Sequence, residues 1–338
     1  MPRSRARRDA PLEEREFHSW LSRHLTGPSR GLLPVGDDAA ALRVPRGRVA
    51  VLSTDSLVEG THFLIESPAA SVGAAAANVS LSDVAAKGAQ PAALLLDLIV
   101  PVGTPRRWAE DLVRAADRAG ASVGAPLVGG DTKPGPTRTV VSTVLGWGRP
   151  DRLVARGGAR PGDVLVTTGT VGRGGLAAHR LGRTRSGRTS ARKKALVGIL
   201  DIRPRVREGL VLAEFAHAML DTSDGLADAS WLLAGASGCR TVVEEGLLPL
   251  ALGLRASASS PGHRRSLAFY GGDYELLAAL PAGTVARARA AVRRTGGRLT
   301  VIGGVERGRG AVLRNSGRSV RMPLGGWRPF SVPSPPIP

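Results

Sequence analysis

Cysteine is almost absent. Cys239 stands alone in 338 residues, which excludes an intramolecular disulfide and any cysteine-built metal site. Lysine is scarce too: Lys87, Lys133, Lys193 and Lys194 are the only lysines among 47 basic residues. No Gly-x-x-x-x-Gly-Lys-Ser/Thr string occurs, and no kinase-type glycine loop is paired with His-Arg-Asp, so a P-loop lysine and a protein-kinase site are both excluded. Long hydrophobic runs are missing. The longest, residues 91–102, is interrupted by Asp97 and is too short to span a bilayer. Behind the N-terminal arginines, residues 9–16 are polar where a signal peptide needs an apolar core, so the expectation is a cytoplasmic protein.

Negative charge is in short supply. The formal net charge is +19, and much of the excess lies in four arginines within residues 1–8 and seven basic residues within 180–194. Neither run is interleaved with the aromatic side chains that stack on bases. They read as a solvated tail and loop, and nucleic acid enters only as a weak electrostatic effect. The same basic background draws in anionic nucleotides.

What the chain does contain is apolar residues, at 42%, and 44 glycines, enough for two compact domains with real cores. Strand and helix patterns alternate up to Arg149-Pro150, and restart after the turn Ala159-Arg160-Pro161-Gly162-Asp163. The expected division is an N-terminal α/β domain over 1–149, a C-terminal α+β domain over 150–330 and a disordered tail over 331–338. Helices are expected over 10–26, 71–88, 105–119, 205–217, 226–234 and 284–294. Short strands are expected at 49–53, 93–100, 125–128, 139–146, 164–168, 239–243 and 299–303. Residues 182–194 read as a flexible loop.

Carboxylates recur in small-residue turns: Gly36-Asp37-Asp38-Ala39, Ser53-Thr54-Asp55, Ser82-Asp83, Gly129-Gly130-Asp131-Thr132 and Asp221-Thr222-Ser223-Asp224-Gly225. Singly, each is an ordinary cap or turn. Five of them in a chain with 28 acids point to a shared site where hard cations hold phosphates. His62 is the one histidine beside an acidic motif, in Glu59-Gly60-Thr61-His62-Phe63, and reads as a structural residue or a substrate contact. Cys239 has no base nearby in sequence, so nucleophilic catalysis has no support there.

Together with Leu81-Ser82-Asp83-Val84-Ala85-Ala86 and Asp273-Tyr274-Glu275-Leu276, these motifs resemble the thiamine-monophosphate kinases of the aminoimidazole ribonucleotide synthetase-like superfamily, in order and spacing over residues 30–330. The resemblance implies the two-domain α/β plus α+β fold of that superfamily and a homodimer with active sites between the domains. The reaction it implies is ATP-dependent phosphorylation of thiamine monophosphate to thiamine diphosphate, by direct in-line transfer. Asp55, Asp131 and Asp224 would be catalytic. Several Mg²⁺ ions, with K⁺ as a further cation, would be held by Asp38, Ser53, Thr54, Asp55, Asp83, Asp131, Asp221 and Asp224. ATP would meet Gly130, Asp131, Arg156 and Ser223, and the thiamine substrate His62 and Trp327. Where the family has an acid, position 272 is glycine; Ser80, Lys87, Lys133 and Pro134 also depart from its usual residues. The alternatives are a same-fold ATP-dependent enzyme with another phosphorylated substrate, or a non-catalytic nucleic-acid-binding relative.

Overall fold

The computed structural model describes Trp20, Arg23, His24, residues 44–184, residues 189–323 and Gly326. The expected helix over 10–26 falls almost entirely outside them, as do Asp38, Trp327, the basic segment 1–8 and the tail. The described residues divide into two compact units, one drawn from 1–84, 90–147 and 186–202, the other from 85–89, 148–185 and 203–338.

The first unit is built on a four-stranded sheet of β1 (Val49–Val58), β2 (Gln90–Val100), β3 (Leu127–Pro134) and β4 (Thr139–Gly148), in the order β1-β4-β2-β3. Strands β2 and β3 run parallel, while β2 and β4 are antiparallel. Alternation sets the two faces. Leu94, Leu96, Leu98 and Val100 of β2, and Val140, Ser142 and Val144 of β4, are buried. Helices α1 (Ala69–Ala86) and α2 (Arg106–Ser122) belong to this unit. The small residues of α1 let it lie close on β4, where Ser142 donates to the Ala76 carbonyl at 2.5 Å and meets Ser80 at 2.7 Å. Ser80 is therefore a buried packing contact.

Two expectations need correction here. Strands β1 and β3 run through Thr54-Asp55 and Gly129-Gly130-Asp131, so these acids sit within strands and not in turns. Sheet pairing overrides the turn propensity of their small polar residues. The loop expected over 182–194 contains the first half of α4 (Ser190–Ile199), the helix that follows α3 (Arg173–Gly182). Thr189 caps α4 by accepting from the Arg192 N–H, and the buried Arg192 side chain pairs with Glu66 at 3.1 Å.

The second unit holds a seven-stranded sheet, in the order β11-β10-β7-β9-β5-β8-β6, made of β5 (Val164–Thr168), β6 (Ala218–Asp221), β7 (Arg240–Glu244), β8 (Leu276–Leu280), β9 (Leu299–Glu306), β10 (Gly310–Asn315) and β11 (Arg318–Arg321). Both faces are covered. Leu277 and Ala279 of β8 join one core with residues of α6 (Leu226–Ser237), including Leu226 and Leu233. Leu276, Ala278 and Leu280 join the opposite core with Leu212 of α5 (Val206–Leu212) and with Ala288 and Val292 of a later helix, Val285–Arg294. A strand buried on both faces reads as an unbroken apolar run, as Leu276–Leu280 does. Lys87, in this unit, donates to the Met219 carbonyl at 3.2 Å, which fixes its ammonium at β6.

Candidate functional site

In the first unit the acids lie on strand β1, on strand β3 at the other end of the sheet order, and in the last turn of α1. Ser53 donates its hydroxyl to Asp83 at 2.5 Å, tying β1 to α1. Thr54 faces the other way, accepting from Thr143 at 2.9 Å and donating to the Ser142 carbonyl at 3.1 Å. Asp55 accepts the Ser56 N–H at 2.8 Å. Partial burial, reinforced by the charge of Asp83, pushes the Asp55 carboxyl above its usual range, against the Ser56 N–H and His62, which lower it.

Asp131 lies in register with Asp97 across the parallel β2–β3 pair and forms an ion pair with Lys133 at 3.1 Å. The Gly130 backbone passes so close to β2 that a Cβ there would fall on the Leu96 carbonyl, so only glycine keeps Asp131 in this register. Asp97 escaped the motif reading. Its one signal was a lone carboxylate inside an otherwise apolar strand.

His62 accepts the Val58 N–H on Nδ1 at 3.1 Å, which leaves Nε2 to carry the proton of the neutral ring. Burial pushes its pKa down, and the Asp55 charge opposes this. The ring is thus a neutral hydrogen-bond donor at physiological pH.

In the second unit β6 delivers Asp221, and the loop 222–225 leads into α6. Ser223 donates to the Asp221 carboxylate at 3.0 Å. The loop is pinned to Gly271-Gly272-Asp273-Tyr274-Glu275 by three bonds: Thr222 N–H to the Glu275 carbonyl (2.8 Å), Glu275 N–H to Thr222 Oγ1 (3.0 Å) and Gly272 N–H to the Ser223 carbonyl (2.7 Å). Two buried carboxylates brace this second loop. Glu275 takes a two-pronged ion pair from Arg205 at 2.5 and 2.6 Å and a hydroxyl from Thr168 at 2.7 Å. Asp273 accepts the Gly172 and Gly174 N–H groups at 2.6 and 2.9 Å at the start of α3, and burial pushes it up to about 6 despite those bonds. Gly272 has φ +76°, a conformation that side-chain-bearing residues rarely adopt.

Arg156 is exposed on a segment anchored beside this loop. Ala155 accepts the Met219 N–H at 3.0 Å, and the Gly158 and Ala159 N–H groups both donate to Ser237 at the end of α6. A cleft of about 510 Å³ borders the same loop, lined by Phe269, Tyr270, Leu313, Arg265 and Gly326.

Among the described residues no three His, Cys, Asp or Glu side chains converge as a ready metal cage. The donors nonetheless suit a hard cation: carboxylates and hydroxyls, with Asp55 raised partly by the charge of Asp83, the repulsion a divalent ion relieves. One string has a different meaning from its look. Gly120-Ala121-Ser122-Val123-Gly124 has the spacing of a nucleophile elbow, but Ser122 ends α2 and donates to the Ala119 carbonyl at 2.7 Å, so it is no nucleophile.

Family models of AIR synthase related protein match residues 36–148 (N-terminal domain) and 160–314 (C-terminal domain). The thiamine-monophosphate kinase of Synechococcus elongatus is 37% identical over 272 residues, 74% of this chain and 81% of that protein. The thiamine-monophosphate kinase of Caulobacter vibrioides is 34% identical over 325 residues, covering 94% and 91%. Among solved structures, AaThiL complexed with AMPPCP and TMP superposes with a TM-score of 0.70 at 28% identity, over 88% of this chain and 92% of that one.

Proposed function

The chain belongs to the AIR synthase related family and, within it, to the thiamine-monophosphate kinases, and we propose that it transfers the γ-phosphoryl group of ATP to the phosphate of thiamine monophosphate, giving thiamine diphosphate and ADP. The observation that carries this reading is the likeness, over 88% of the chain, to a protein solved with an ATP analogue and TMP.

Asp38, Ser53, Thr54, Asp55, Asp83, Asp131, Asp221 and Asp224 are the residues we assign to Mg²⁺. Bound Mg²⁺ neutralises phosphate charge so that two polyanions can approach in line. K⁺ is an additional candidate at the same oxygens. The chain's own residues do the rest. Asp55, Asp131 and Asp224 fix the phosphate-binding geometry, and Ser53 holds the Asp83 carboxylate in one orientation. Gly130 and Ser223 offer backbone and hydroxyl groups to the nucleotide, while Arg156 draws its phosphates in. His62, neutral and donating from Nε2, is assigned to the acceptor, as is Trp327. No covalent enzyme intermediate is needed.

The enzyme works as a homodimer in the cytoplasm in this reading. The sheet face of the first unit opposite its helices carries Leu52, 68% exposed, and Leu95, 38% exposed, and a second copy of the chain would cover them. No helix among the described residues is long and apolar enough to cross a membrane.

Incubation with ATP, Mg²⁺ and thiamine monophosphate, followed by chromatography, tests the activity: thiamine diphosphate is the expected product. Glycine at 272, where the family has an acid, favours one second reading, a different phosphorylated acceptor. ATP consumption with another acceptor and none with thiamine monophosphate would establish it.

A further inference from the structure

The outer edge of the second unit's sheet carries a groove of about 590 Å³, lined by Trp231, Arg240, Arg309, Gly310, Ser319 and Arg321 among others. Its floor is the start of β10. Gly310 pairs with Arg240 of the parallel strand β7, and Val312 pairs with Arg321 of the edge strand β11, so two arginines flank the same short stretch. Gly310 has no side chain to exclude the Trp231 ring, which lies within 3.0 Å of where a Cβ would be. The indole N–H donates to the Met322 carbonyl at 3.3 Å, fixing the ring, and the Arg321 guanidinium stacks over it at 5.0 Å.

Charge separates this groove from ordinary sheet-edge arginines. Arg314, on the same strand β10, is neutralised twice, by Glu244 at 3.0 Å and Glu306 at 2.9 Å. Glu306 is also the strand partner of Arg240, yet its carboxylate goes to Arg314. Among the described residues Arg240, Arg309 and Arg321 have no carboxylate partner, and no acid lines the groove. Three uncompensated guanidinium groups, one hydroxyl and an immobilised aromatic ring around a concavity are the recognition elements of a phosphate-rich ligand. Arginine forks match phosphate oxygens, and the volume falls in the range of small-molecule sites, roughly 300–1,000 Å³.

We propose that this groove is a second anion site, distinct from the acidic centre, that takes the diphosphate group of a small soluble ligand. Three arginines exceed what a lone phosphate needs and suit the higher charge of a diphosphate. The stacked pair Arg321–Trp231 offers a flat surface on which a ring attached to that group can lie. The inference does not depend on the proposed kinase reaction.

The test is calorimetric titration of the full chain with inorganic pyrophosphate and, separately, with ADP, both in EDTA so that no divalent ion serves the acidic centre. Binding of either ligand, weakened at least ~10-fold in the double variant Arg240→Gln/Arg309→Gln, is expected from the loss of charge-assisted bonds. Tighter binding of ADP than of pyrophosphate would assign the ring to the Arg321–Trp231 surface; equal binding would assign recognition to the diphosphate alone. The double variant is expected to keep the wild-type thermal transition and kcat/KM for phosphoryl transfer, which separates failure of this proposal from failure of the kinase reading. The proposal is overturned if neither ligand binds in EDTA, if the double variant binds as wild type does, or if single-stranded DNA binds while both small anions fail.

Discussion

Ser53 of β1 and Asp83 of α1, thirty residues apart, share a hydrogen bond of 2.5 Å that points the carboxylate toward the strand carrying Asp55. A hydroxyl in this place orients a ligand without adding charge. Ser53→Ala is therefore expected to lower apparent Mg²⁺ affinity by ~10–100-fold, the usual cost of removing a group that orients a metal ligand. Asp55→Asn should remove turnover while leaving the fold intact, because among the described residues Asp55 bonds only its neighbour's N–H. Mg²⁺ titration of activity, with thermal melts in parallel, checks both. Wild-type Mg²⁺ dependence in Ser53→Ala would remove the orienting role.

Glu275 and Arg205 make the other decisive contact of the candidate site, a buried ion pair behind the loop that holds Asp221 and Ser223. Glu275→Gln removes the negative charge at the buried end of this pair and leaves the partly buried Arg205 guanidinium, among the described residues, with only the more distant Glu208, at 3.6 Å, and should cost about 3–5 kcal/mol of stability. Chemical denaturation of the two proteins measures it. A loss near zero would mean that Thr168 and the backbone alone hold the loop.

Asp273 gives a pH dependence with a fixed sign. Its folded pKa, about 6, is above the ordinary 3.8, so the folded state holds the proton more tightly than the unfolded chain. Its contribution to stability is therefore present below pH 4, falls as pH rises from 4 to 6, and is flat beyond; the slope is at most about 1.4 kcal/mol per pH unit. Denaturation of wild type and Asp273→Asn at pH 4.5 and 7 isolates the effect. The difference between the two proteins must change with pH, and a constant difference would mean that Asp273 titrates normally.

The exposed face of the first sheet predicts self-association. Leu52→Asp should convert a dimer into a monomer at micromolar concentration, read by sedimentation velocity, because an unpaired charge would be buried in the joint. A wild-type monomer would contradict the assignment.

Much of this was legible in the sequence, and the rest was hidden for identifiable reasons. The helix that carries Asp83 in its last turn announced itself through alanine content and a glycine after its end, and the strand Val164–Thr168 through its apolar start. The strand character of Asp55 and Asp131 did not show, because Ser-Thr-Asp-Ser and Gly-Gly-Asp-Thr have turn propensity until neighbouring strands pair with them. Helix α4 was hidden by a basic composition whose key residue, Arg192, finds its carboxylate 126 residues away. Long-range partners such as Arg205 for Glu275 or Gly172 for Asp273 leave no trace in local pattern. The acids were visible; what orients them was not.

The central claim is direct transfer from ATP to thiamine monophosphate, and a single-turnover reaction with γ-³²P-labelled ATP and Mg²⁺ tests it most directly. The account predicts that label passes to thiamine diphosphate in step with ADP formation, with none on the protein, and that Asp131→Asn blocks both. Label retained on the protein, or ADP formed at the wild-type rate without labelled thiamine diphosphate, would contradict it.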